Sequence, residues 1–433
     1  MQIKNILKFA GRLIMLIVLL GLFMVGSCDN NFFKPEPKKL TRQVLYDLML
    51  EWYLWYDTMP EVNINDYLTP QDLLEALRNS PTDRWSYIQD SDDYYDYIKA
   101  GMFIGHGIGM RWSNDGRLMV AYIYDDSDLY DAGVRRGWEV LQINNQTITS
   151  GTEIDTAILG AGEVDVQNVF TLKNPSGGTQ TMTSIKKQIE IKPILYSDII
   201  THPDTNQSDV KVGYFVLQNF VSAATDDLND LFSDFKDAGI DELVIDLRYN
   251  PGGILEVARE LGNLIAGETA IKGAFVNYVY NDKKSARNVT LRFDTSQYSI
   301  DPLRVFFITT KSTSFASEVL INAVLPYLDV FLIGDVTNGK PVGEIARQYD
   351  DYTIVPVTYA TYNKENEGDF YDGLPADAFV TDDLDEDFGS TEEDCLKEVL
   401  YYIENGAFSG STKSAVTNYP WIQRGWRATV GAL

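Results

Sequence analysis

The sequence predicts an α/β core with largely parallel strands, preceded by a helical N-terminal segment and an inserted small β-domain. From Val212 onward, short apolar stretches alternate with amphipathic ones, which is typical of a parallel sheet covered by helices. Residues 101–187 instead show short apolar stretches between Gly and Asn turns, which favours antiparallel strands. The composition, 45% hydrophobic and 23% charged, is that of a globular protein and excludes a disordered or fibrous chain.

Charge and metal-ligating residues exclude several function classes. The chain has 63 Asp and Glu against 36 Lys and Arg, a net charge of −27, so we expect no nucleic acid partner. Two Cys and two His exclude a disulfide scaffold and a zinc centre built from those residues. The acidic run 382–387 lacks the spacing of a calcium loop and is predicted to be solvated. We therefore expect no metal and no cofactor.

The N-terminus has the pattern of an export signal. Basic residues precede an apolar run of 13 residues, Leu13–Val25, which is too short to cross a bilayer as a helix, because that requires about 20 residues. Val25–Cys28 resembles the bacterial lipobox, in which the Cys is acylated. The pattern predicts a signal peptide at 1–27, lipidation of Cys28, a tether at 28–39 and a membrane-anchored protein of the cell envelope. A plain signal peptide or a short membrane anchor is the alternative.

Residues 40–100 are predicted to be helical, because Leu45, Leu48 and Trp52 lie at helical spacing. The next block, 101–190, contains Gly107, Ile108, Gly109 and Met110, followed by an Ala-Gly-Val stretch at 132–134 and a strand at 140–143. This order resembles a PDZ domain. The resemblance implies that Gly107–Met110 binds the terminal carboxylate of a peptide while a strand edge pairs with its backbone. The alternative is a β-domain used only for packing.

The core is predicted to span residues 191–408, and its strands and helices place three distinctive loops between them. The expected strands are 212–217, 242–247, 303–309 and 330–333, and the expected helices are 225–238, 254–265 and 318–325. The loops 246–253, 309–318 and 334–343 follow three of these strands, at the sheet edge where α/β proteins bind ligands. The sequence does not decide whether the tail, 409–433, is docked or loose.

These loops resemble those of the C-terminal processing (tail-specific) serine peptidases. The matching residues are Asp-Leu-Arg-Tyr-Asn-Pro-Gly-Gly at 246–253, Ala-Ser-Glu at 316–318 and Ile-Gly-Asp-Val-Thr-Asn-Gly-Lys at 333–340. The resemblance implies amide hydrolysis of protein substrates, in which a Ser hydroxyl attacks and a neutral Lys removes its proton. Lys340 matches that general base, and the amides of Gly252 or Gly253 and of Ala316 match the oxyanion hole.

The chain departs from this family at the catalytic group itself. The position of the nucleophile is occupied by Phe315, and Glu344 stands where relatives usually have a supporting Gln. One interpretation is that Ser314 or Ser317 supplies the hydroxyl, although Ser314 also suits a helix N-cap. The other is a peptide-binding or adaptor protein in which Glu344 pairs with Lys340 and holds it protonated. A binding module for small molecules or glycans is a more distant alternative.

Overall fold

The computed structural model describes residues 39–95, 101–150, 152–203 and 209–410. The described residues from Leu40 onward belong to one compact unit. The predicted signal peptide, Cys28, the tether up to residue 38 and residues 411–433 of the tail lie outside the described residues. Within the described part, none of the helices combines the length and apolar character needed to cross a membrane.

Nine α-helices occur in the described residues, together with 3₁₀ turns at Tyr56–Thr58, Ile64–Asp66 and Asp282–Arg287. In chain order the helices are α1 Arg42–Trp52, α2 Pro70–Leu77, α3 Ser91–Tyr95, α4 Asp128–Asp131, α5 Thr156–Leu159, α6 Ala224–Ala238, α7 Leu255–Ala266, α8 Ala316–Val324 and α9 Asp394–Asn405.

The β-strands of the described residues form five sheets. In chain order they are β1 Tyr87–Asp90, β2 Met102–Gly105, β3 Ile108–Trp112, β4 Leu118–Ile123, β5 Glu139–Ile143, β6 Gln146–Thr147, β7 Gln167–Lys173, β8 Thr179–Ile185, β9 Lys187–Glu190, β10 Ile194–His202, β11 Val210–Leu217, β12 Glu242–Asp246, β13 Ala274–Tyr280, β14 Val289–Arg292, β15 Val305–Thr309, β16 Val330–Gly334, β17 Val342–Glu344, β18 Arg347–Tyr349, β19 Tyr352–Val355, β20 Val357–Tyr362 and β21 Ala378–Phe379.

The central sheet has the order β10-β11-β12-β15-β16-β21. All neighbours from β11 to β21 are parallel, and only β10 is antiparallel. Strands β12 and β15 are buried along their whole length, as expected for a sheet covered on both faces. Helices α6, α7 and α8 contribute to one core cluster, and α9 contributes to another. The predicted α/β fold with a largely parallel sheet is therefore confirmed, and the ends of the predicted elements differ from the observed ones by at most two residues.

A second, antiparallel sheet with the order β14-β13-β20-β17 was not predicted. Its strands lie in segments where apolar and polar residues do not alternate with a clear period of two. Strand β17 begins two residues after Lys340 and ends at Glu344, so this sheet supports the third loop. Gly343 pairs with Tyr359 across β17 and β20.

The N-terminal segment packs against this second sheet. Thr41 caps α1, and Thr69 with Asp72 forms a capping box on α2, with Pro70 at its first position. The two helices bury apolar residues against Val342 and Val357 of this sheet and against Ile354 of β19. These residues on α1 and α2 are Leu45, Leu48, Met49, Leu73, Leu74 and Leu77. The contact brings residues 40–90 close to the loop that carries Lys340.

Strands β3, β4, β5, β7 and β8, with β6 beside β5, form an antiparallel sheet, and β2 pairs with β9. We call residues 101–190 the β-domain. Its own core includes Ile108, Met110, Val120, Phe170 and Leu172. Strand β3 stands at an edge of the sheet among the described strands.

Candidate active site

The three distinctive loops meet at one edge of the central sheet. Strands β12, β15 and β16 are parallel neighbours, so their carboxyl ends lie side by side. The Ser314 amide donates to the Asn250 carbonyl at 3.1 Å and joins the first two loops. The Asn338 amide donates to the Thr313 carbonyl at 2.9 Å and joins the second and third. Residues that are far apart in sequence therefore build one site.

Phe315 occupies a strained position at the start of α8. Its backbone has φ 45° and ψ −104°, a conformation that costs a non-glycine residue about 1–3 kcal/mol. Such strained turns between strand and helix occur where a side chain must project from the chain at a functional site. The first loop lies close by, since a Cβ placed on Gly252 would stand 3.0 Å from that of Phe315. The geometry of the nucleophile position is thus present, and a phenyl ring fills it.

The Lys340 amine faces the Phe315 ring and a carboxylate. Its Nζ lies 4.9 Å from the ring centroid and 2.5 Å from Oε1 of Glu344. Both side chains of the ion pair are nearly buried, at 7% and 9% exposed. Burial raises the pKa of Glu344, although Lys340 acts in the opposite direction. The predicted pairing of Glu344 with Lys340 is therefore present.

Ser314 and Ser317, the two possible substitutes for the nucleophile, form no hydrogen bond with Lys340 in the described part of the chain. Ser317 is fully buried, and its hydroxyl donates to the Asn250 carbonyl at 3.3 Å. The alternative role of Ser314 as the cap of α8 is not seen, because the cap position is Phe315. Among the described residues, no hydroxyl forms a hydrogen bond with the Lys340 amine, whose polar contact is with Glu344. Ser317 is thus excluded as the attacking group in this conformation, since its hydroxyl is buried and points elsewhere.

One of the predicted oxyanion donors is already engaged. The Gly252 amide donates to Oδ1 of Asn250 at 2.8 Å, so of the two alternatives, Gly252 and Gly253, the amide of Gly252 is engaged in this conformation. Gly253 and Ala316 remain, and neither amide has an acceptor among the described residues. Ala316 is the first residue of α8, where backbone amides lack partners within the helix. Its nitrogen would stand 3.1 Å from a Cβ on Gly252, which shows how closely the two loops approach.

A single buried carboxylate ties the second loop to the third. Oε2 of Glu318 accepts hydrogen bonds from the amides of Phe315 and Lys340, both at 2.9 Å. Oε1 accepts from the Thr337 hydroxyl at 2.5 Å and the Gly339 amide at 2.6 Å. Burial raises the pKa of Glu318, and these four donors lower it. Glu318 therefore fixes the distance between the nucleophile position and the Lys340 loop.

A buried ion-pair network supports the first loop. Arg248 is fully buried and contacts Asp246 at 2.6 Å, Glu393 at 2.6 Å and Asp382 at 3.0 Å. Asp382 also pairs with Arg136 of the β-domain at 3.0 Å. Burial would raise the pKa of Asp382, but Arg248 and Arg136 hold it below its usual value. The prediction of a solvated acidic run is therefore wrong for Asp382.

The N-terminal segment touches the third loop directly. Arg84 donates to the carbonyls of Tyr371 at 2.8 Å and Gly339 at 3.4 Å, next to Lys340. Its guanidinium also lies 4.9 Å from the Trp85 ring centroid. Residues 40–90 thus belong to the surroundings of the site.

In the β-domain, the stretch predicted to bind a peptide carboxylate lies on β3 and the turn before it. Gly107 has φ +69°, a conformation that favours glycine. Gly109 lies against the Tyr122 ring, where any Cβ would come within 2.2 Å of a ring atom. Ile108 and Met110 point into the core and are at most 2% exposed, so only their backbone can serve a ligand.

Comparison with known proteins decides the family. Residues 211–379 match the model of peptidase family S41, and residues 41–87 match the model of the S41 N-terminal domain. The chain therefore contains an S41 peptidase domain and an S41 N-terminal domain. Among curated S41 relatives, it is 26% identical over 288 residues to carboxyl-terminal-processing peptidase 1 of Arabidopsis thaliana. It is 22% identical over 290 residues to the carboxy-terminal processing protease CtpA of Bacillus subtilis.

These alignments cover 65% and 67% of this chain but only 57% and 59% of the two relatives. Solved structures share the S41 fold. A crystal structure described as an S41 protease from Bacteroides fragilis matches with a TM-score of 0.68 and 24% identity, over 86% of this chain and all of the other. The photosystem II D1 C-terminal processing protease matches with a TM-score of 0.51 and 17% identity, over 79% and 94%.

The family assignment makes the substitution at 315 the main chemical question. S41 is a family of serine peptidases, and this member has no serine at the strained position before α8. The sequence identified the residues that meet there, but it missed Glu318 as the group that holds them. A Glu at the third position after the strained residue could have suggested a capping role, but not its hydrogen bonds to the loop around Lys340.

Proposed function

We propose that this S41 member is an envelope lipoprotein that captures protein C-termini through its PDZ-like β-domain and holds the peptide without Ser/Lys hydrolysis. The observation that carries the proposal is the position of the Lys340 amine, 4.9 Å from the ring centroid of Phe315. In this arrangement the lysine faces an aromatic ring where a Ser/Lys peptidase needs a hydroxyl.

The chemistry of the site supports binding over cleavage. A general base must lie within about 3 Å of the proton that it removes. A phenyl ring has no such proton, and the amine is engaged by Glu344 at 2.5 Å. Both departures from the family, at 315 and 344, contact the same amine, so they act together.

Several features that bind a peptide backbone are retained. The amides of Gly253 and Ala316 have no acceptor among the described residues and can donate to a peptide carbonyl. Strand β3 lies at an edge of its sheet, where an extended peptide can add as a further strand. The ring of Phe315 is only partly buried and offers an apolar contact in place of an attacking group.

A second candidate is hydrolysis with Ser314 as the nucleophile. Ser314 directly precedes Phe315, and its hydroxyl forms no hydrogen bond with another described residue, which favours this candidate over Ser317. It requires a rearrangement of the loop that brings the Ser314 hydroxyl to the Lys340 amine.

The test is a side-by-side measurement of peptide binding and protein cleavage. Soluble protein starting at residue 29 is incubated with β-casein as an unfolded substrate, and fragments are followed by mass spectrometry. Binding is measured by fluorescence anisotropy with labelled 12-residue peptides that end in a free or an amidated carboxyl group. The variants are Ser314→Ala and the double variant Phe315→Ser/Glu344→Gln, which reverses both departures.

We expect wild type to bind the free-acid peptide without producing fragments. The double variant should produce fragments, and adding Lys340→Ala to it should abolish them, because the base is then missing. Fragments from wild type that disappear with Ser314→Ala would favour the second candidate. Absence of binding to either peptide would contradict the capture of C-termini.

A further inference from the structure

Three cationic groups surround the indole of Trp52 at the end of α1. The Arg347 guanidinium lies 3.8 Å from the ring centroid, the Lys284 amine 4.2 Å and the Arg287 guanidinium 4.9 Å. Lys283 lies beside them, over the Tyr56 ring at 3.5 Å. This concentration of positive charge contrasts with the net charge of −27 of the whole chain.

The two arginines of this group are not ion-paired within the protein. Lys284 pairs with Glu51, but neither Arg287 nor Arg347 forms an ion pair with a described residue. Nε of Arg347 is buried without a hydrogen-bond partner among the described residues. Burial lowers the pKa of Arg347, and the nearby Arg287 also lowers it, whereas Tyr349 and Glu51 raise it without forming an ion pair with it. Two guanidiniums held close together with free donors are the arrangement that an anionic group would complete.

A strip of tyrosines connects this cluster with the candidate active site. Gly343, next to Glu344, pairs with Tyr359 across β17 and β20. Tyr359 pairs in turn with Tyr280 across β20 and β13, with ring centroids 5.4 Å apart. Burial raises the pKa of Tyr280, whereas Arg287 and Arg347 both lower it, so this ring lies beside the cluster. The tyrosine strip thus runs across the second sheet from the strand that carries Glu344 towards the cluster.

We propose that Arg287 and Arg347, stacked on Trp52, form a subsite for a carboxylate of the bound peptide, whether an acidic side chain or the chain terminus. The inference rests on the proposed function, because it requires a peptide that extends from Lys340 along the tyrosine strip. A guanidinium can bind a carboxylate through two parallel N–H donors, and its planar group remains stacked on the indole. The subsite selects acidic peptides.

The experiment compares three fluorescein-labelled 12-residue peptides made of Ala, Leu and Ser with three variable positions. One has Glu at these positions and an amidated end, one has Gln and a free end, and one has Gln and an amidated end. Anisotropy is measured for wild type, Arg287→Gln and Arg347→Gln. The matched control is Arg292→Gln, an exposed arginine that donates only to the Lys272 carbonyl. Circular dichroism melting verifies that each variant is folded.

We expect Arg287→Gln and Arg347→Gln each to weaken the binding of at least one carboxylate-bearing peptide by about tenfold. This is the loss of affinity typical of one charge-assisted contact. The affinity for the peptide without a carboxylate should change less than twofold in these variants. Arg292→Gln should leave the affinities for all three peptides unchanged. The Glu and free-end peptides distinguish a side-chain carboxylate from a terminal one. Equal effects of the cluster variants on all three peptides would overturn the subsite while peptide binding stands. Loss of binding to vesicles containing anionic lipid, with peptide affinities unchanged, would assign the cluster to a membrane and also overturn it.

Discussion

Replacing Glu318 with Gln should separate the second loop of the site from the third. The carboxylate accepts four hydrogen bonds, two on each oxygen. An amide has the same shape but presents an NH₂ group at one of these two positions. That group would face two donors that it cannot satisfy, whichever way the amide is turned.

The magnitude follows from the number of hydrogen bonds that the substitution breaks. Hydrogen bonds to a charged acceptor contribute about 1.5–3 kcal/mol each, and two of the four are broken. Burial of the charge is itself unfavourable, as the raised pKa of Glu318 indicates, so removing the charge offsets part of this destabilisation. We expect the free energy of unfolding to fall by about 3 kcal/mol.

The assay is urea unfolding at pH 7, followed by tryptophan fluorescence, with Glu268→Gln as an exposed control that should be neutral. Peptide affinity measured well below the unfolding midpoint should also fall for Glu318→Gln, because Phe315 and Lys340 lose their common anchor. A change in unfolding free energy below 1 kcal/mol, with unchanged peptide affinity, would refute the positioning role of Glu318.

Three further predictions concern buried titratable groups. Arg248→Met should lower the unfolding free energy by about 3–5 kcal/mol in urea titrations, because it leaves buried carboxylates unpaired, and a loss below 1 kcal/mol would contradict the network. Burial lowers the pKa of His106 to about 4. Because the unfolded chain then binds a proton that the folded protein does not, the free energy of unfolding should fall by about 2 kcal/mol as the pH falls from 7.5 to 5. His106→Gln should remove this pH dependence of the unfolding free energy, and the control His202→Gln should keep it. The raised pKa of Glu344 means that stability falls as pH rises from about 4.5 through the folded-state pKa. Glu344→Gln should flatten that part of the stability profile, and an unchanged profile would contradict the burial of its charge.

The central sheet and the meeting of the three loops could be predicted from sequence, because buried parallel strands and amphipathic helices have distinct periods. The N-terminal ends of α6, α7 and α8 fall within two residues of the expected positions. The second sheet could not be predicted, since β17 has only three residues and β14 only four, too few to show an alternation. Its contribution to the site through Tyr359 is therefore visible only in the structure.

The contacts between individual residues of different loops also could not be predicted from the sequence. Phe315, Lys340 and Glu344 were identified by their place in a family motif, and their meeting depends on that motif. The engagement of the Gly252 amide by Asn250 depends on one side-chain rotamer. The role of Asp382 depends on Arg136, which lies 246 residues away on the β-domain. A run of acidic residues gives no signal for such a distant partner.

The most direct test of the account asks whether any hydroxyl in the wild-type site is activated. Wild type and the Phe315→Ser/Glu344→Gln double variant are treated with a fluorophosphonate that forms a covalent adduct with activated serines, and intact masses are recorded. The account predicts an adduct on residue 315 of the double variant and none on wild type. An adduct on Ser314 of the wild-type protein would contradict it.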